Sequence, residues 1–130
     1  MTTTTDTRAE AQARSQLENI KQMVAELENN DAFDEYGQPA SERIQDDPLS
    51  IAVRSGWQAP GSSFEAEEYQ ILLCTGGPAV RIIGELGPYD VPENAEIEYQ
   101  DWFTSWTPLG IYGDDEDAVL TYARQFHFGS

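Results

Sequence analysis

The sequence predicts an α+β fold: a long N-terminal helix, a four-stranded antiparallel sheet with a central Gly-Gly hairpin, and a short C-terminal helix. Three observations predict it. Ala13, Leu17, Ile20, Val24 and Leu27 recur at spacings of 4, 3, 4 and 3, two β-rich runs meet at Thr75-Gly76-Gly77-Pro78, and four consecutive acids lead into a second helical pattern.

Residues 1–8 are Thr-rich and are expected to be a disordered tail. Residues 9–130 are expected to form one α+β domain, with a helix over 9–29, the sheet over 49–103 and a helix over 115–126. The first helix carries its apolar stripe on one side, with Glu18, Lys21, Glu26 and Glu28 mostly away from it. That stripe fits packing on the sheet. Its 4-3 alternation also fits a short two-helix dimer seam through Leu17, Ile20, Val24 and Leu27. Asn29-Asn30-Asp31 ends the helix, and residues 31–40 read as an acidic loop punctuated by Gly37 and Pro39. Residues 41–45 allow one helical turn before Pro48.

Leu49 to Arg54 alternates as a half-buried strand does, and Pro60-Gly61-Ser62-Ser63 breaks the pattern. Glu68 to Cys74 and Ala79 to Leu86 are the two arms of the glycine hairpin, and Gly87-Pro88 ends the second. Residues 95–103 alternate again as a fourth strand. Asp114 to Asp117 then precede Val119, Tyr122, Ala123 and Phe126, where carboxylates in a first helical turn are favoured by the helix dipole.

Charge is the strongest functional clue. Twenty-four acids face seven basic side chains, a net charge of −17 on 130 residues. Self-repulsion of this size opposes compaction, and solubility needs only about 2–8 net charges. Three Trp, six Tyr and five Phe argue against a disordered acidic chain. One Lys and six scattered Arg disfavour nucleic acid as a direct ligand, because phosphates are neutralised by basic side chains, and disfavour anionic membranes for the same reason. No stretch approaches the ~18 apolar residues of a membrane span. The first residues lack the basic start and apolar core of a signal peptide. The single cysteine, Cys74, rules out an intramolecular disulfide and reads as a buried inert thiol in a reducing cytoplasm.

Four acidic clusters are visible: Asp31, Asp34 and Glu35; Glu65, Glu67 and Glu68; Glu93, Glu96, Glu98 and Asp101; and Asp114 to Asp117. Glu96 and Glu98 lie two apart on a strand, so both project to one face about 6.6–6.8 Å apart. Carboxylates on a rigid sheet can imitate a phosphate row, since duplex DNA presents about one charge per 1.7 Å. The expected partner contacts are Glu65, Glu67, Glu68, Glu96, Glu98 and Asp101, with Trp102 as an aromatic anchor. Arg54, Arg81 and Arg124 are open between ties to nearby carboxylates and partner contacts.

Catalytic and metal chemistry is weakly supported. The run Asp114-Asp115-Glu116-Asp117 lacks the alternation of a calcium loop, and one His with one Cys disfavours zinc. His127 reads as a packed or surface imidazole, and no spacing ties it to Cys74. A carboxylate pair for glycoside hydrolysis stays open only because acids are abundant. Gly76-Gly77 lacks the lysine and following helix of a phosphate loop. Trp57, Tyr69, Tyr99, Trp102, Phe103 and Trp106 are expected mostly in the core, with a sugar-stacking platform as the alternative. No catalytic residue, metal or cofactor is expected.

Val53 to Trp57, Ile71 to Ile82, Tyr99-Gln100-Asp101-Trp102 with Trp106-Thr107, and Leu120 to Phe126 resemble a group of short acidic proteins from phages and other mobile elements, over roughly residues 47–129. That group implies a setting and no activity. Small acidic phage proteins often counter host defence, with anti-CRISPR and anti-restriction DNA mimics as known examples. The resemblance and the charge together suggest a non-enzymatic inhibitor in the cytoplasm of an infected cell. Its target would be the basic nucleic-acid groove of a Cas effector or restriction enzyme. The alternative is a structural or regulatory dimer built on the N-terminal helix.

Overall fold

The structure, a computed structural model, describes residues 7–61, 65–101 and 104–129. Helix α1 (Thr7–Glu28) comes first, followed by α2 (Ala40–Asp46). Strands β1 (Ser50–Arg54), β2 (Glu68–Cys74), β3 (Ala79–Glu85), β4 (Glu96–Gln100) and β5 (Thr107–Pro108) precede α3 (Asp114–Ala123). The expected α+β class is thus present, with five strands in place of four. The fifth has two residues, too few to show a period of two. The expected disordered tail falls mostly on residues outside those described, and α1 already includes Thr7 and Arg8.

All strand pairs are antiparallel and the spatial order is β1-β2-β3-β4-β5. The glycine hairpin joins β2 to β3 as its composition requires, and Gly76 takes φ 101°, a region open to glycine. A bulge between Leu72 and Cys74 shifts the β2–β3 register by one residue. Leu73 is buried and Cys74 packs half-buried against the core, less enclosed than the sequence suggests.

Directly opposed residues share a face, so the registers define rows across the sheet. One face carries the row Ile51–Ile71–Ile82–Ile97. Ile71, Ile82 and Ile97 are fully buried, and α1 lies over β3 and β4. Ala13, Leu17, Ile20, Met23 and Val24 of α1 are buried in that core, and Leu27 packs half-buried against it. Of the residues expected to offer a dimer seam, Leu17, Ile20 and Val24 are thus buried in the chain's own core, and Leu27 is packed against it.

Helix α3 packs beside α1 and buries Val119, Tyr122 and Ala123. The Tyr122 hydroxyl donates to Asp47 Oδ2 at 2.7 Å, joining α3 to the C-terminal end of α2, and burial pushes this phenol's pKa far up. Asp31 accepts from the Ser41 amide and hydroxyl, both at 2.7 Å, which satisfies donors in the first turn of α2. The first acidic cluster is therefore partly structural.

Candidate interaction surface

The opposite sheet face is where the acids gather. In an antiparallel sheet the end of β1, the start of β2, the end of β3 and the start of β4 fall at one end. Two acidic stretches distant in sequence are thereby neighbours. Arg54, Glu68 and Glu85 form one row, Ala52, Gln70, Ile83 and Glu96 the next, and Ser50, Leu72, Arg81, Glu98 and Pro108 the third. A hollow of about 510 Å³ opens here, with Arg54, Glu68, Glu85, Glu96 and Glu116 in its lining.

The expected contact residues are not equivalent. Glu65 and Glu96 are exposed. Glu67 is exposed but accepts the Gly56 amide at 3.0 Å, which fixes the loop after β1. Glu68 is ion-paired with Arg54. Glu98 is largely buried and bound to Arg81. Asp101 is half-buried in a turn whose Thr104 hydroxyl accepts from the Asp101 amide at 3.1 Å. Trp102, like Phe103, lies outside the described residues. Glu96 and Glu98 do share a face, as their spacing requires, but only Glu96 presents an uncompensated charge.

Glu85 was missed by the sequence reading. It looks like an ordinary strand end until the register sets it opposite Glu68. Its carboxylate accepts from Asn94 Nδ2 at 2.9 Å, while Asn94 Oδ1 accepts the Glu85 amide at 2.9 Å, so the approach to β4 holds Glu85 in place.

Six of the seven basic side chains have partners within the chain. Arg14 pairs with Glu10, Lys21 with Glu18 and Asp115, and Arg43 with Glu26 and Asp34. Arg54 and Arg81 take Glu68 and Glu98, and Arg124 Nε donates to the Pro92 carbonyl at 2.9 Å. Arg54 and Arg81 thus tie to carboxylates across the sheet, with Arg54 still largely exposed, while Arg124 ties to a backbone carbonyl. What faces outward is therefore overwhelmingly negative.

The aromatics divide. Tyr69 is core, Tyr99 and Trp106 are half-buried, and Trp57 is fully exposed, so no flat stacking platform forms from them among the described residues. Cys74 and His127 are not brought together: the thiol lies 3.8 Å from the Pro78 carbonyl, and burial raises its pKa, which lowers its nucleophilic fraction. Among the described residues no three of His, Cys, Asp and Glu are grouped to hold a metal ion, and no helix is long and apolar enough to cross a membrane. The acidic run at the start of α3 sits in its first turn, where Asp115 pairs with Lys21 at 3.0 Å.

No protein-family model matches the chain, and comparison with curated proteins and with solved structures gives no match either.

Proposed function

We propose that this chain is a non-enzymatic counter-defence protein, an acidic DNA mimic that occupies the basic nucleic-acid groove of a host CRISPR–Cas or restriction complex in the cytoplasm of an infected cell. The observation that carries the reading is the acidic end of the sheet. Glu85 and Glu96 present negative charge on the strands and Glu65 in the loop before β2, while the nearby Arg54 and Arg81 are paired with Glu68 and Glu98. A groove lined by Lys and Arg is complementary to such a surface, and opposite net charges steer association. Nucleic acid itself would be repelled.

The test is a pull-down of tagged protein from host lysate, washed at low and then high salt, beside a Glu65→Lys/Glu85→Lys/Glu96→Lys variant. Glu98 is left intact because it holds Arg81. The wild type should retain a nucleic-acid-binding complex that salt releases, and the variant should lose it. Equal capture by the variant, or capture of proteins without a nucleic-acid role, would sink the reading.

A further inference from the structure

The two edges of the sheet are built differently. β5 is two residues long and ends in Pro108, which cannot donate to a ladder. β1 has five regular residues with no proline, no lysine and no acid, and among the described residues no strand pairs with its outer side. Such an edge is a template for another strand.

Its side chains extend the core outward. Ile51 continues the buried row Ile71–Ile82–Ile97 and Val53 lies opposite buried Tyr69, yet Ile51 and Val53 are 40% and 38% exposed because helical cover stops short of β1. Leu49 before the strand is 59% exposed and Trp57 after it fully exposed. Four large apolar side chains thus border one free edge. The same stretch, Pro48 to Phe64, carries no Asp or Glu in a chain that holds 24 of them.

We propose that β1 is a self-pairing edge on which a second copy of this chain adds its own β1, antiparallel and two-fold about Ala52. That centre gives full overlap of the five-residue strand. It sets Ile51 opposite the partner copy's Val53 and the reverse, so the apolar rows run through the junction. Arg54 falls opposite Ser50, so no like charges meet. The antiparallel order also sends the two acidic ends, which begin at Arg54 and Glu68, to opposite ends of the joined sheet. An isologous contact of this kind closes as a dimer. The acid-free edge is the side on which two copies of net charge −17 repel least. This inference is independent of the proposed target.

The test is sedimentation velocity on the full chain, from micromolar to millimolar concentration, at low and high sodium chloride. Dimer should grow with concentration and be strengthened by salt, the opposite sign from release of a basic partner. Ile51→Lys with Val53→Lys should weaken the dimer at least about tenfold with the fold intact by circular dichroism. Should that variant fail to fold, hydrogen exchange on the wild type decides: amides of residues 50–54 should gain protection as concentration rises. A monomer under all conditions, a dimer the variant leaves unchanged, or protection that appears elsewhere overturns the proposal. So does β1 protection that appears only on adding a different protein, which would assign the edge to a foreign strand.

Discussion

Arg81 and Glu98 face each other across β3 and β4, with the guanidinium Nη2 2.7 Å and Nε 2.9 Å from one carboxylate oxygen. Arg81 Nη1 donates to Gln70 Oε1 at 2.8 Å, and the guanidinium lies 4.1 Å from the Trp106 ring centroid. The side chains are 22% and 13% exposed, so water screens this pair less than a surface pair. Removing one partner strands the other's charge. Glu98→Ala should therefore cost about 1.5–3 kcal/mol. Glu96→Ala, two residues away on the same face but solvated, should stay within about 0.5 kcal/mol. Urea denaturation of both variants checks the contrast, and equal costs would refute the special role of Glu98.

Gly84 faces the core side opposite Tyr69. A Cβ there would stand 2.2 Å from the Asn94 carbonyl oxygen and 2.7 Å from the Tyr69 ring. Tyr69 cannot yield easily, because its hydroxyl donates to that carbonyl at 2.7 Å and its ring packs 5.0 Å from Phe128. Gly84→Ala should destabilise by about 1–3 kcal/mol through overpacking. The companion change Tyr69→Leu removes the obstructing ring. In that background the added cost of the alanine should shrink, as a double-mutant cycle would measure.

Where the sequence was legible, one side chain pattern answered to one burial partner. The α1 stripe and the glycine hairpin are local signals, and both are found where the spacing puts them. The 4-3 stripe could not say what it packs against, because a sheet and a second helix ask for the same spacing. The acid surface was legible only as separate clusters. That Glu68 stands opposite Glu85, and that Glu98 is neutralised by Arg81, depends on strand register, which joins residues 17 apart in the chain in both cases. Asp31 and Asp34 resemble other surface acids until the fold shows them accepting backbone amides.

Three carboxylates should make the region between α1 and α2 acid-labile. Hydrogen bonds from Ser41 hold Asp31 below its usual pKa, the Gln38 amide does the same for Asp34, and Arg43 does so for Glu26. A pKa lowered in the folded state adds stability that is present above the unfolded value, about 4, and lost as pH falls through the folded value. The melting temperature should hold from neutral pH to about 5 and decline below about 4. Asp31→Asn cannot be protonated, so its melting profile should be flatter over that acid range and lower at neutral pH. Parallel profiles for variant and wild type would remove Asp31 from the account.

Glu68 and Glu85 are like charges set directly opposite each other, an arrangement that costs a sheet about 0.2–1 kcal/mol. Arg54 relieves one side of the pair and Asn94 the other, but net charge stays unfavourable at that end. Glu85→Gln removes the repulsion and keeps an acceptor for Asn94. It should raise stability by about 0.2–1 kcal/mol at low salt, and the gain should fade near 1 M salt, where the Debye length drops to about 3 Å. Denaturation midpoints for wild type and variant across a sodium chloride series would show two lines converging. The same substitution should weaken capture of a basic partner, because the carboxylate that strains the free protein is one the partner would neutralise. A variant that gains stability at every salt concentration alike would point to packing or hydrogen bonding, not charge, as the cause.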